Sequence, residues 1–251
     1  MSHSETSLHR YAVLLSTMRS GSTLLKALIA SAPDVAHMPE VNFQSVLRSE
    51  RKRRELELRY PEERILLLKR PAWFQETGRY PSIPEGIPVQ RIILLRDVYE
   101  TVRSVGRMML GKTFDRIPGV WGQKWIARHY WVPITRNLLR HGIDHPETSI
   151  TVRYEQILHN PERETQAIFQ FLGSEQNEGI RSYETPENFR WRWGSDDGSP
   201  RIRSKEVLPP RDLGPEDQQR KEWICSLPEV KAMREAAGYV NPAVAELCGQ
   251  P

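Results

Sequence analysis

The chain has 251 residues, a formal net charge of +4, 38% hydrophobic and 27% charged residues, which excludes a disordered chain and leaves room for one sizeable core. No apolar run approaches the roughly 18 residues of a membrane span, the opening MSHSETSLHR lacks an apolar signal core, and Cys225 and Cys248 form no metal-spaced pair. The expectation is a soluble cytoplasmic protein with one domain over 1–251, whose excess arginine suits an anionic ligand but, scattered and without a zinc-finger or basic-zipper pattern, not nucleic acid.

In chain order, YAVLLS (11–16) reads as a buried strand, and STLLKALIASA (22–32) follows with helical spacing up to Pro33. RSERKRRELELR (48–59) interleaves glutamates with its cations and reads as a solvated helix with i,i+4 pairs rather than a polyanion-binding one. RILLLK (64–69) and VQRIILLR (89–96) are further buried strands. DVYETVRSVGRMML (97–110) is a helix with Asp97 as N-cap. WGQKWIARHYWVPITRNLL (121–139) is an aromatic helix with a kink expected near Pro133. In HGIDHP, Gly142 and Pro146 turn His141 and His145 into a loop pair. TSITVRY (148–154) is a fourth strand, and NPERETQAIFQFLG (160–173) has Asn at its cap, Pro at its first helical position and Gly past its end.

Strands alternating with helices predict an α/β fold, a P-loop-like parallel sheet flanked by helices, with its core over about 10–173. Residues 174–251 read as a loop-rich and helical cover over the sheet's C-terminal edge, where such folds bind ligands. Within that cover EDQQRKEWICSL and EVKAMREAAGY are two closing helices. FRWRWG (189–194) reads as packing, and Asp196 with Asp197 as an exposed turn.

The first strand-to-helix corner, STMRSGST (16–23), carries a cation, hydroxyls and a glycine. Against the nucleotide loop GxxxxGK[ST], Gly21 and Thr23 keep their places, Ser16 replaces the first glycine and Ser22 replaces the lysine. A helix N-terminus holds an anionic group through its unpaired N–H groups and dipole without the full motif. Arg19, Ser20, Ser22 and Thr23 add donors. The alternative is an ordinary capped corner.

Five features in order resemble the sulfotransferases that use 3′-phosphoadenosine 5′-phosphosulfate (PAPS), most of all their tyrosylprotein and carbohydrate branches. MRSGSTLL matches the 5′-phosphosulfate loop, with Arg19 as its basic residue and Ser20, Gly21, Ser22 and Thr23 following. APDVAHMPE (32–40) matches a proline-containing turn leading to a catalytic glutamate, here Glu40. LLLKRP (66–71) matches a strand end whose lysine, Lys69, contacts the transferred group. LLRDVYETVRS (94–104) matches the 3′-phosphate signature of a strand-end arginine and a later serine, Arg96 and Ser104. VRYEQILHNPERETQAIFQFLG places Tyr154 near the nucleotide. The family's basic segment over the nucleotide is matched to GSPRIRSKEV (198–207), with Arg201, Arg203, Ser204 and Lys205 as contacts.

The resemblance implies transfer of a sulfuryl group from PAPS to a hydroxyl or amine of a small-molecule acceptor, without a metal. Glu40 would be the general base, with Lys69 and Arg19 stabilising charge. His37, three residues before Glu40, is the alternative base, though a turn histidine without a catalytic role is the plainer reading. Two other functions stand beside this one: a P-loop kinase using ATP and magnesium, and a non-catalytic module binding a nucleotide or polyanion. The missing loop lysine weighs against the first, and a carboxylate beside the anion site weighs against the second.

Overall fold

The computed structural model describes residues 9–110, 120–184 and 200–239. Its sheet has four parallel strands, β1 (Arg10–Ser16), β2 (Ile65–Lys69), β3 (Val89–Leu95) and β4 (Ser149–Arg153), in the order β2-β1-β3-β4. Leu14 pairs with Lys69 on one side of β1 and with Ile92 on the other. The order reverses at β1, so the chain leaves β1 at a point where neighbouring crossovers diverge and open a crevice.

Both faces of the sheet are covered, as parallel strands require. Tyr11, Val13 and Leu15 of β1 pack on one side with Tyr130, Trp131 and Ile134. Ala12 and Leu14 pack on the other with Leu25, Leu28 and Phe169. The first face is built by α2 (Phe43–Leu47), α4 (Val98–Leu110), α5 (Val120–Ile126) and α6 (Val132–Asp144), with α10 (Pro215–Ser226) and α11 (Pro228–Ala236) outside them. The second is built by α1 (Ser22–Ile29), α7 (Tyr154–His159), α8 (Pro161–Leu172) and α9 (Pro200–Arg203). The solvated helix is α3 (Glu50–Arg59), capped by Ser49 Oγ and carrying an Arg51–Glu55 pair. No helix among the described residues is long and apolar enough to cross a membrane.

Two local expectations change, and the irregularity near Pro133 takes a specific form. The backbone widens into a π-helical turn over Ala127–Trp131 and resumes as α6, with Pro133 in its first turn, where a missing N–H costs least. That helix runs through Gly142 to Asp144, so His141 is helical and not in a loop. Burial pushes His141 down to about 4, and as a neutral ring its Nε2 accepts from Arg91 Nε at 3.0 Å. Tyr154 opens the short α7 rather than ending β4. The cover is tied down where Val207 N–H bonds to Arg181 O, Tyr183 N–H to Lys205 O, and Tyr183 Oη–H to Ile202 O. FRWRWG, Asp196, Asp197 and the Arg201 side chain lie outside the described residues.

Candidate functional site

The β1–α1 corner is a shaped loop. Arg19 and Gly21 are both left-handed, with φ of 59° and 89°, and flank the buried Ser20. Alternating backbone hands turn successive N–H groups into one concavity, which suits an anion. Helix α1 starts with no side-chain cap and no acid in its first turn, so its positive end stays uncompensated. Ser20 Oγ is buried and makes no hydrogen bond among the described residues.

Two buried tyrosines stitch this loop to the segment after β2. Ser16 N–H donates to Tyr80 Oη at 3.1 Å, and Tyr80 donates to Arg70 O at 2.9 Å. Met18 N–H donates to Tyr130 Oη at 2.5 Å, and Tyr130 donates to Ala72 O at 2.7 Å. The loop's entry is thereby fixed to the strand end that carries Lys69.

On the β2 side of the loop, Lys69 Nζ donates to Thr23 Oγ1 and to Glu40 Oε2, each at 3.0 Å. Lys69 is buried and Glu40 keeps one-fifth of its side-chain surface. A hydroxyl of the helix start, an ammonium and a carboxylate are thus within direct contact. His37 lies behind them, and burial together with the charge of Lys26 pushes its imidazole down to about 4, so it is neutral at neutral pH.

On the β3 side, Arg96 follows the strand and Ser104 sits in α4. They converge on Arg19: Arg96 Nη1 donates to Arg19 O at 2.7 Å, and Arg19 Nε donates to Ser104 Oγ at 3.0 Å. The Arg96 guanidinium also lies 4.4 Å over the Tyr154 ring, and its Nη2 reaches Glu100 at 3.3 Å. The ring in turn covers Gly21, where a Cβ would stand 2.1 Å from Tyr154 Cε2. Only glycine admits both that approach and that φ. Arg96 Nε is buried without a hydrogen-bond acceptor among the described residues, an outlier for a charged donor.

These groups open into a cleft of about 900 Å³, lined by Arg19, Gly21, Arg96, Ser104 and Tyr154, with Arg103 and Arg107 further along α4. Its apolar lining comes from Leu24, Leu158, Ile202, Leu208 and Pro210. The volume suits a nucleotide-sized ligand. Thr23, Lys69 and Glu40 do not line it.

The residue after Arg96 is braced by the last helix described. Arg234 of α11 holds both oxygens of Asp97, at 2.8 and 2.9 Å. Asp97 N–H donates to Glu155 Oε1 at 3.0 Å, Tyr239 Oη–H donates to Glu155 Oε2 at 3.0 Å, and Trp131 Nε1–H donates to Arg96 O at 2.9 Å. Asp97 takes the N-cap position by its backbone, its C=O accepting from Thr101 N–H, while its carboxylate accepts from the adjacent Val98 N–H at 2.7 Å and from Arg234.

The loop residues, Glu40, Lys69, Arg96, Ser104 and Tyr154 come together at one sheet edge. Of the expected C-terminal contacts among the described residues, Arg203, Ser204 and Lys205 do not line the cleft. Arg203 is exposed, Ser204 Oγ turns to Glu206 O and Lys205 Nζ to Glu184 at 2.8 Å, while Ile202, Glu206, Leu208 and Arg211 line the cleft instead. Sequence reasoning passed over Arg103 and Arg107, whose spacing of four along α4 could have shown them. It also passed over Tyr80 and Tyr130, which read as core.

No protein-family model matches the chain, and a search of curated proteins finds no match. Among solved structures the fold is that of sulfotransferases. The sulfotransferase domain of the Synechococcus PCC 7002 olefin synthase is similar over 93% of this chain and 96% of its own, at 19% identity and a TM-score of 0.59. A sulfotransferase from Alicyclobacillus acidocaldarius is similar over 94% and 98%, at 12% identity and a TM-score of 0.52. A mouse sulfotransferase complexed with PAP is similar over 92% and 89%, at 13% identity and a TM-score of 0.50.

Proposed function

We propose that the chain is a sulfotransferase that moves a sulfuryl group from PAPS to a hydroxyl or amine of a small-molecule acceptor. One observation carries the reading: a single anion loop is flanked by two unlike clusters. Arg96, Ser104 and Arg19 stand toward the cleft, and Lys69, Glu40 and Thr23 stand on the other side. A nucleotide with phosphate at one end and phosphosulfate at the other needs two separate cationic corners. Both corners hold a carboxylate, Glu100 on Arg96 Nη2 at 3.3 Å and Glu40 on Lys69 Nζ at 3.0 Å, and in this reading Glu40 is the one that removes a proton. The mouse neighbour complexed with PAP supports a bisphosphorylated adenosine as the ligand.

In this reading the cleft takes the nucleoside and its 3′-phosphate, and the loop takes the phosphosulfate across the start of α1. Glu40 accepts the proton of the acceptor hydroxyl as its oxygen bonds to sulfur. The bond from sulfur to the bridging oxygen breaks, and the electron pair stays on the nucleotide's 5′-phosphate. Lys69 and the N–H groups of the loop stabilise that charge where it grows. Ser22 stands where an ATP-using loop keeps its lysine, which favours this reading over a kinase.

The test is ligand choice. Adenosine 3′,5′-bisphosphate is expected to raise the melting temperature in a concentration-dependent way, as mass action requires, and ATP with magnesium much less. A shift seen with ATP and magnesium alone moves the assignment to a kinase.

A further inference from the structure

Residues 37–41, which carry Glu40, form neither helix nor strand, and among the described residues the backbone groups of 38–41 make no bond to another backbone group. Pro39 has no N–H to give. Such a segment takes its position from side chains. Met38 anchors it in the core, and two lysines grip it. Lys69 holds the Glu40 carboxylate, and Lys26 Nζ donates to Met38 O, two residues upstream.

Lys26 is a costly choice for that task. It is only 3% exposed, and a buried ammonium costs free energy that an apolar residue would not. Burial and the nearby charge of Lys69 push its pKa down to about 7, with Glu40 pulling the other way. Its place on α1 explains what the cost secures. Thr23 and Lys26 are three apart and share one face of the helix. Thr23 meets Lys69, and Lys26 meets Met38. One rigid helix therefore touches both supports of Glu40 and begins at the anion loop.

We infer that Lys26 is the positioning residue for Glu40, setting the distance between the base and the anion loop through the Met38 carbonyl. Why that distance matters rests on the sulfuryl-transfer reading; the grip itself does not.

The test compares Lys26→Met, which keeps the stem and loses the donors, with Lys26→Arg, which restores them. Three things are measured: affinity for adenosine 3′,5′-bisphosphate, single-turnover release of labelled sulfate from PAPS, and crystal structures of all three proteins. In Lys26→Met, affinity is expected within about twofold of wild type. Sulfate release is expected to fall about 10²-fold, the loss typical of a ~1 Å misplacement. Residues 37–41 are expected to shift against an unchanged 16–23. Lys26→Arg recovers most of the rate. A Lys26→Met structure that superposes on wild type over 37–41, or one with wild-type rate, overturns the inference. If wild type fails to bind the bisphosphate, the proposed function falls, and the crystal structures still decide the role of Lys26. Should Lys26→Met not fold, Lys26→Gln takes its place under the same criteria.

Discussion

Replacing Gly21 by alanine makes two demands on the loop, and they can be measured apart. At φ 89° an L-residue pays about 1–2 kcal/mol for left-handed backbone. The new Cβ would also stand 2.1 Å from Tyr154 Cε2 and 2.3 Å from Cδ2, so the ring must leave. Leaving gives up its contact with the Arg96 guanidinium, a cation–π interaction of about 0.5–2 kcal/mol. Gly21→Ala is therefore expected to cost about 2–4 kcal/mol, or roughly 5–15 °C in melting temperature for a chain of this size. In a Tyr154→Ala background the clash is gone and only the backbone term, about 1–2 kcal/mol, remains. Urea unfolding of the four proteins closes the cycle. Equal costs of Gly21→Ala in both backgrounds, within the ~0.5 kcal/mol of ordinary additivity, would refute the argument that the ring is what glycine makes room for.

Arg96→Ala is expected to weaken PAPS binding by about 1.5–3 kcal/mol, the range for hydrogen bonds to charged groups, and adenosine 5′-phosphosulfate far less; equal weakening in titrations of both ligands removes Arg96 from the 3′-phosphate. Glu40→Gln should lose ~10²–10⁴-fold in single-turnover transfer, the usual worth of general-base catalysis, with near-wild-type affinity for the bisphosphate; an unchanged rate makes His37 the next residue to replace. Lys26 gives a pH signature. Its pKa in the folded protein is about 7 against an ordinary 10.5, so between those values the unfolded chain holds a proton that the folded one has released. Stability from this group thus rises with pH across that window and is least favourable below about pH 7. From pH 7 to 9 wild type should gain up to about 3 kcal/mol over Lys26→Met in urea unfolding, and parallel pH profiles would contradict the lowered pKa of Lys26.

The sheet was legible because β1 to β3 are short apolar runs closed by a polar residue, because SITVR alternates apolar and polar, and because the strands alternate with amphipathic stretches. The corner at 16–23 stood out by residue type, but those residues alone left an ordinary capped corner as the alternative, and it is the structure that gives α1 no side-chain cap. The supports were not legible. Tyr80 and Tyr130 look like any buried aromatic, and only their hydroxyl contacts reveal them as braces of residues 16–18. Lys26 reads as the polar side of a helix, because nothing local reports that residues 37–41 fold back over it. The cover was legible only in outline for a similar reason: where Val207 pairs with Arg181, Ile202 and Glu206 line the cleft, and no local pattern reports which side of that turn faces it. Such long-range pairings leave no periodic trace.

The clamp of Arg234 on Asp97 joins residues 137 positions apart, and this sets an order of events during synthesis. Strands β1 to β4 and the anion loop have all left the ribosome before α11 is made. A nascent chain that stops short of Pro228 already holds every proposed ligand contact at the sheet edge, yet lacks the arginine that pins the residue after Arg96. Closing so distant a contact comes late in assembly. The brace beside Arg96 is thus acquired last, and the growing chain passes most of its translation without the finished corner proposed for the 3′-phosphate.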